Sequence, residues 1–199
     1  KERFLFLYTF IKRFSDKKIL ILVSSQDQAT FFTNLLSDLE FSNSKTSSIT
    51  TNETKTLFLP YSSADSFSLS KLNTKYDFCV LYDNPSNKKE ICVLSNYCTT
   101  LLFMLMSNEV SILEHLNIAS IENKYSSAKL AKLQNLIEQR VNANFDLYSA
   151  SREAYKAYYN SYILSDLNKF RNTETLEYDK ICFQFGVNIP LFFSVKDKK

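Results

Sequence analysis

The first forty residues alternate between amphipathic and continuously apolar stretches. Residues 2–14 place apolar side chains at helical spacing, which predicts a helix. The run Ile19–Val23 is aliphatic throughout, as is typical of parallel strands that are covered on both faces. Ser24 and Ser25 then lead into a second predicted helix over about residues 27–40. This order predicts the helix and strand units of an α/β fold.

The middle of the chain continues this alternation with shorter elements. Residues 42–55 are rich in Ser, Thr and Asn, which predicts a loop with room for one short strand at 48–50. Three further strands and a helix are predicted, at 56–59, 78–82, 101–106 and 108–116 respectively. We therefore expect a parallel sheet within a three-layer α/β/α lobe over residues 1–118.

From about residue 119 the pattern becomes purely helical, which predicts a second, small all-helical domain over 119–199. Residues 128–145 and 149–164 each carry an apolar stripe at helical spacing. The first stripe consists of Leu130, Leu133, Ile137, Val141 and Phe145. A last helix is predicted over 178–185, with Gly186 just beyond its end and Pro190 soon after.

Composition restricts the classes of function. The 199 residues are 45% hydrophobic, which is enough for a substantial core, and the net charge of +3 is too small to indicate nucleic-acid binding by itself. The whole excess of basic residues lies in 119–199. No apolar run approaches the ~20 residues that a membrane-spanning helix needs, so we expect no membrane partner.

The chain contains a single glycine, Gly186. Glycine-rich loops wrap phosphates because their backbone tolerates positive φ and close approach. Neither a P-loop nor a dinucleotide-binding glycine motif can be written in this sequence. We therefore expect no small-molecule substrate and no nucleotide cofactor held by a loop of this chain.

The cysteines also argue against a metal site. Their spacing fits neither a zinc knuckle nor a compact disulfide framework, so we predict four buried thiols in a reducing compartment. They are Cys79, Cys92, Cys98 and Cys182.

Several segments, in order, resemble the second RecA-like lobe of DEAD-box RNA helicases. The residues from Arg3 to Lys12, followed by the strand that ends in Ser24 and Ser25, are similar to the opening of that lobe and its fourth motif. The stretch from Tyr76 to Pro85 resembles the strand and D-x-P turn that precede the sixth motif. Residues 100–116 are similar to the last strand and helix of the lobe.

The C-terminal residues resemble the helical extension of nucleolar DEAD-box proteins that assemble the large ribosomal subunit. This likeness is carried by residues 133–138, by residues 151–158, and by the Phe-Gly-Val-x-Ile-Pro run from Phe185 to Pro190.

The motifs that carry helicase chemistry are degenerate. The fifth, A-R-G-x-D, corresponds to Ala64-Asp65-Ser66-Phe67-Ser68, and the sixth, H-R-x-G-R-x-x-R, to Val93-Leu94-Ser95-Asn96-Tyr97. Asp65, Ser66, Ser68, Leu94 and Tyr97 therefore stand at degenerate catalytic positions. No arginine occurs between Pro60 and Glu122. Such arginines stabilise the transition state of phosphoryl transfer, so we expect no catalytic residue and no ATPase activity in this chain.

The resemblance implies a catalytically degenerate assembly factor of the pre-60S particle in the nucleolus. Its expected partners are pre-ribosomal RNA and neighbouring assembly proteins, and ATP with Mg²⁺ would bind only if a competent first lobe exists. Two alternatives stay open at this point. The first is that the chain is the C-terminal half of an active ATP-dependent RNA helicase in rRNA processing, and the second is that it is an unrelated α/β protein-interaction module.

Candidate RNA- or partner-binding residues each have a structural alternative. Ser24 and Ser25 contact RNA phosphate by resemblance, or else cap the helix that follows them. The basic candidates contact phosphate, or else line a solvated helix face. These are Arg140, Arg152, Lys156, Lys169 and Arg171.

The aromatic and histidine residues are judged in the same way. A tyrosine stripe at 155–162 forms either a stacking platform for bases or, more commonly, a core face. His115, the only histidine, has no partner in motif spacing and is expected at the surface or at a helix cap. We expect no metal site.

Overall fold

The computed structural model describes residues 2–41, 55–64, 69, 74–85, 88–122, 130–164 and 181–187. Several predictions lie outside these residues. They are the strand at 48–50, the fifth-motif positions Asp65, Ser66 and Ser68, and the basic candidates Lys169 and Arg171.

Six α-helices and four β-strands are found in these residues. In chain order they are α1 (Arg3–Arg13), β1 (Ile19–Val23), α2 (Gln26–Phe41), β2 (Thr56–Pro60), β3 (Tyr76–Leu81), α3 (Lys88–Ser95), β4 (Cys98–Phe103), α4 (Ser111–His115), α5 (Leu130–Ala143) and α6 (Phe145–Leu164). Three single-turn 3₁₀ helices occupy Tyr61–Ser63, Ser107–Glu109 and Cys182–Phe185.

The four strands form one parallel sheet in the order β2-β1-β3-β4. Ile19 in β1 pairs with Thr56 on one side and Phe78 on the other. All five residues of β1 are buried, which explains why this strand is aliphatic without interruption. The chain crosses from β1 to β2 in one direction and then returns to β3 and β4 in the other. The gap between β1 and β3 is therefore the topological switch point of the sheet.

Packed side chains cover both faces of the sheet, so the three-layer α/β/α prediction is confirmed. Alternate residues of β1 belong to different cores, with Ile19, Ile21 and Val23 on one face and Leu20 and Leu22 on the other. Helices α1 and α2 contribute to the first core, and α3 contributes Leu94 to the second. This alternation follows from the two-residue period of a strand.

The C-terminal helices add to the first core. Ile137 of α5, Tyr155 of α6 and Phe185 of the last 3₁₀ helix belong to the same buried cluster as α1 and α2. The Phe185 ring lies 5.7 Å from that of Phe32 in α2, with the two planes 17° apart. The described parts of residues 1–118 and 119–199 thus share one hydrophobic core, and the division into two domains stays a prediction.

Three elements of the lobe differ from their predictions. Strand β4 begins at Cys98 and ends at Phe103, about three residues earlier than predicted, because it extends through Thr99 and Thr100 as an edge strand. Helix α3 was not predicted, since only Ile91 and Leu94 mark its buried face. The helix predicted over 108–116 is a 3₁₀ turn followed by the short α4.

The predicted helices over 128–145 and 149–164 are α5 and α6, separated by one residue. The side-chain oxygen of Asn144 accepts a hydrogen bond from the Leu147 backbone N–H at 3.1 Å, which caps the start of α6. Phe145 is therefore the first residue of α6. Its side chain is 82% exposed, so its predicted place in the apolar stripe was wrong.

The cysteine prediction was correct for three of the four thiols. Cys79, Cys98 and Cys182 are buried, and none of the four cysteines forms a disulfide bond. Cys92 is exposed on α3. The neighbouring positions of that helix explain the error, since Ile91 and Leu94 face the protein and leave Cys92 on the outer side.

Gly186 ends the last 3₁₀ helix with φ +69°, the left-handed conformation that its predicted role requires. A Cβ atom at this position would lie 2.7 Å from Val141 Cγ2 and 3.2 Å from Ile137 Cγ2. Both contacts are with α5, so the glycine also permits close packing of the C-terminal turn on that helix.

We expect Gly186→Ala to lower the free energy of unfolding by about 2 kcal/mol, because positive φ and overpacking both oppose the new methyl group. Urea denaturation measures the change. Val141→Ala, which removes the nearest methyl groups, is the control background: there Gly186→Ala should cost less. An equal cost in both backgrounds would show that the contact with Val141 does not contribute.

Candidate functional site

The carboxyl ends of parallel strands are where open α/β sheets place their ligand sites, especially at a topological switch point. Here Ser24 follows β1 and Asp83 follows β3, on the two sides of that point. Asp83 Oδ2 accepts a hydrogen bond from the Ser24 backbone N–H at 2.8 Å. The switch point is therefore closed by a contact within the chain itself.

A buried ion cluster occupies this edge of the sheet. Arg3, in the first turn of α1, lies with Nη1 3.4 Å from Asp83 Oδ1, and its Nη2 pairs with Glu109 Oε2. All three side chains are at least 95% removed from solvent. Helix α1 runs back along β1, so its first turn reaches the carboxyl edge. The positive charge of Arg3 thereby joins the segments that follow β3 and β4.

Electrostatics within the cluster favour the charged arginine. Although burial opposes the charge, the carboxylates of Glu109 and Asp83 keep the pKa of Arg3 above its ordinary value. Burial raises the pKa of Asp83, and this effect is opposed by Arg3 and by the Ser24 N–H. The two carboxylates thus depend on Arg3 for compensation.

Tyrosines and a glutamine connect the ion cluster to the C-terminal segment. The Arg3 guanidinium carbon lies 5.5 Å from the centre of the Tyr82 ring. The Tyr82 hydroxyl donates a hydrogen bond to Gln184 Oε1 at 3.0 Å. Burial strongly raises the pKa of Tyr82 and of Tyr158, so both phenols remain neutral. The cluster therefore holds the last 3₁₀ helix against the lobe.

The candidates Ser24 and Ser25 begin α2. Ser25 Oγ accepts a hydrogen bond from the Gln28 backbone N–H at 3.2 Å, which is a helix cap. Ser24 Oγ donates to Gln28 Oε1, and Gln28 is fully buried. Both hydroxyls thus have partners within the protein, as the capping alternative predicts. Contact of these serines with RNA stays a prediction.

The residues aligned with the sixth motif contribute to the core. Leu94, at the position that the resemblance assigns to an arginine of the motif, is 1% exposed and packs in the cluster of Leu20, Leu22 and Leu81. Tyr97, at another arginine position, is half-buried at the edge of the same cluster. This segment presents an apolar face to the sheet, and neither side chain carries a charge.

The basic candidates lie apart from the ion cluster, on α5 and α6. Arg140 Nε is 3.9 Å from Asp38 Oδ2 on α2, and Lys156 Nζ is 4.0 Å from Glu153 Oε2. The Arg152 guanidinium lies 5.8 Å from the Tyr148 ring centre. Arg152 and Lys156 are exposed, and Arg140 is partly so. These are features of a solvated helix face, and their contact with phosphate stays a prediction.

The exposure of the side chains decides between the alternatives for the tyrosine stripe and for His115. Tyr155, Tyr158 and Tyr162 are at most 5% exposed, so they form a core face and cannot serve as a stacking platform. His115 is exposed in the last turn of α4, as expected. Within the described ranges no group of three potential metal ligands occurs, and no helix there is long and apolar enough to cross a membrane.

Sequence reasoning missed the ion cluster. In the sequence, Arg3 and Asp83 stand out only as parts of the segments that resemble the helicase lobe, and Glu109 only as part of a predicted helix. One signal was present: Arg3 is the only charged residue in the apolar stretch from Arg3 to Ile11. A cation on the buried face of a helix requires a buried anion, and acids that follow strands are the natural candidates.

Comparison with known proteins gives the chain its relatives. It is 26% identical to human "ATP-dependent RNA helicase DDX18" over 96% of its own length, and 26% identical to "Probable ATP-dependent RNA helicase ddx18" of Dictyostelium discoideum over the same share. It is 25% identical over 94% of its length to "DEAD-box ATP-dependent RNA helicase 27" of Arabidopsis thaliana. No protein-family model matches the chain.

The chain spans only about a third of the length of these relatives, namely 32%, 35% and 33% respectively. The match nevertheless runs through both the α/β lobe and the C-terminal helices. The resemblance inferred from the motifs is thereby confirmed: the chain is a homologue of the DEAD-box ATP-dependent RNA helicases and forms an α/β lobe of their RecA-like type.

Proposed function

We propose that this chain is a catalytically degenerate helicase lobe that acts as a structural assembly factor of the large ribosomal subunit. The observation that carries the proposal is the burial of Leu94, at 1% exposure, where the sixth motif has an arginine. An arginine at this place in an active enzyme must reach a phosphate. The side chain here instead reaches the sheet, so the lobe offers no charge there for phosphoryl transfer.

The ion cluster supports the same proposal. A helicase lobe that drives RNA remodelling needs a carboxyl edge that is open to its ligands. In this chain, Asp83 is engaged by Arg3 and by the Ser24 N–H, and both serine hydroxyls are engaged by Gln28. A pre-formed edge whose charges are paired within the chain suits constant docking better than a cycle of binding and release.

The proposed partners are pre-ribosomal RNA and neighbouring pre-60S proteins, in the nucleolus. This part follows from the likeness of the C-terminal helices to the nucleolar subgroup and from the RNA helicase names of the relatives. The proposal includes no cofactor for this chain; ATP with Mg²⁺ would require a competent first lobe. The competing function is that of one half of a working ATP-dependent helicase, and the names of the same relatives support it.

Affinity purification of the tagged natural protein from its own cells, followed by gradient sedimentation, tests the proposal. We expect it to co-sediment with large-subunit precursor RNA, and to remain bound equally after ATP depletion and after ATP addition. Release that depends on ATP would instead support the working helicase. Sedimentation free of ribosomal RNA would support the unrelated interaction module and contradict both helicase-derived functions.

A further inference from the structure

The opposite edge of the sheet, at the amino ends of the strands, carries a concentration of positive charge. Helix α1 ends in Lys12 and Arg13, and the turn into β1 contains Lys17 and Lys18. Lys55 directly precedes β2, and Lys75 directly precedes β3. We call these six residues the basic edge. They come from separate parts of the sequence and meet only because the strands are parallel.

The strand register places Lys18 and Lys55 side by side, and it places Lys75 on the other side of β1, two residues further from the sheet. Ile19 pairs with Thr56, so the preceding residues Lys18 and Lys55 are neighbours, and the Ile19 N–H donates to the Lys55 carbonyl at 2.7 Å. On the other side of β1, the Asp77 N–H donates to the Lys18 carbonyl at 2.9 Å, two residues after Lys75. Strands lie about 4.8 Å apart, so these lysines span a row roughly 10 Å wide.

The charges of the basic edge face solvent. Lys12, Arg13, Lys18, Lys55 and Lys75 are exposed, and the Lys17 side chain is 44% exposed. Among the described acidic side chains, two lie on the same side: Asp16, which pairs with Lys17 at 3.4 Å, and Asp77, whose Oδ2 accepts the Lys18 N–H at 2.8 Å. Positive charge therefore predominates.

This concentration is concealed in the overall charge balance. Residues 1–118 have equal numbers of basic and acidic side chains, yet half of their basic residues converge on one edge. At the carboxyl edge, by contrast, the cation of Arg3 is buried and paired. Lys89, at the start of α3, is exposed on the carboxyl side, so the amino end is the side with the larger number of exposed cations among the described residues.

We infer that the basic edge is a docking surface for the phosphate backbone of RNA, on the side of the lobe opposite Ser24 and Ser25. The inference rests on the proposed function and names the surface that the RNA would contact. Exposed lysines in a row act as point charges on successive phosphates, with no reading of the bases. Lys12 Nζ and the guanidinium carbon of Arg13 lie 5.6 Å from the ring centres of Tyr8 and Phe14 respectively, and these contacts restrict the freedom of both side chains before binding.

Binding of the full chain to a short RNA hairpin over a salt series tests the inference. The edge variant carries Lys18→Gln, Lys55→Gln and Lys75→Gln. The control carries Lys89→Gln and Lys132→Gln, which remove two exposed lysines on α3 and α5 that belong to neither candidate surface. We expect the edge variant to lower the slope of log K against log salt by about 2 to 3, the loss of three duplex phosphate contacts. The control should change this slope by less than about 1.

Each other outcome has a definite meaning. A lower slope in the control variant with an unchanged slope in the edge variant would overturn the basic edge but leave RNA docking in place. Salt-insensitive binding by the unaltered chain would overturn RNA docking itself. Polyglutamate serves as a model of an acidic protein. If it binds the unaltered chain as tightly as RNA does and binds the edge variant more weakly, the basic edge would instead be a docking surface for an acidic protein. Thermal unfolding should be unchanged in both variants, because the altered side chains are largely exposed.

Discussion

Arg3→Met should lower the free energy of unfolding by about 3–5 kcal/mol, although methionine fits the volume of the arginine stem. The reason is the two carboxylates that remain: Asp83 and Glu109 would be buried without a cation. Removing one member of a buried ion cluster costs more than the cluster itself contributes, since the desolvated charges left behind have no compensation. Urea denaturation followed by circular dichroism measures the loss.

Two further variants keep this prediction testable if Arg3→Met fails to fold. Arg3→Lys retains the positive charge but lacks the planar guanidinium group, so it should lose less stability than Arg3→Met. Arg13→Met, at the exposed end of the same helix, should stay within about 0.5 kcal/mol of the unaltered chain. An Arg3→Met protein as stable as the unaltered chain would show that the ion cluster does not hold α1 to the sheet.

Leu94→Arg, which restores the charge of the sixth motif, should destabilise the lobe by about 3–5 kcal/mol and restore no activity. Leu94 is 1% exposed, among apolar side chains of β1 and β3, where a guanidinium would have neither water nor a carboxylate partner. Thermal and urea denaturation measure the loss of stability, and ATP binding by the same variant measures any recovery of function.

The matched control is Ser95→Arg, one residue further along α3, where the side chain is exposed. We expect this substitution to change the free energy of unfolding by at most about 0.5 kcal/mol. A Leu94→Arg protein that is equally stable would mean that α3 can turn outward and that the motif position still faces a cleft. That result would remove the main support for a degenerate lobe.

The parts of the fold with strong periodicity were predictable from sequence. The aliphatic run Ile19–Val23 is a fully buried strand with those bounds, and the amphipathic stretches on either side of it are α1 and α2. In these segments local propensity and burial agree. The left-handed Gly186 was predictable for a similar reason, because a lone glycine just past a helix has few other structural roles.

The errors arose where tertiary contacts decide the local structure. Strand β4 starts at Cys98 because it pairs with Tyr76 of β3, which the apolar run after it does not reveal. Glu109 turns inward to Arg3 and also accepts the Met106 backbone N–H at 2.8 Å, and the predicted helix gives way to a 3₁₀ turn there. A contact across 106 positions of sequence has no local signature.

The two candidate sites for RNA contact, the serine pair and the basic edge, also differ in how far the sequence alone could reveal them. Ser24 and Ser25 are adjacent in the sequence, and a motif identified them, yet the Ser25 hydroxyl caps α2 and the Ser24 hydroxyl donates to the side chain of Gln28. The basic edge combines Lys18, Lys55 and Lys75, which become neighbours only through the register of three parallel strands. Composition could not reveal it, because the acidic residues that balance its charge are distributed elsewhere in 1–118.

The central claim is that this lobe has lost the chemistry of its relatives and kept their architecture. RNA-stimulated ATP hydrolysis by the longest natural form of the protein tests this claim most directly, with an active DEAD-box helicase assayed in parallel. Because the arginines of the sixth motif are missing, turnover should be lower than that of the active enzyme by about 10³-fold or more, and RNA should not stimulate it. Robust turnover that increases with RNA would contradict the claim and restore the working helicase.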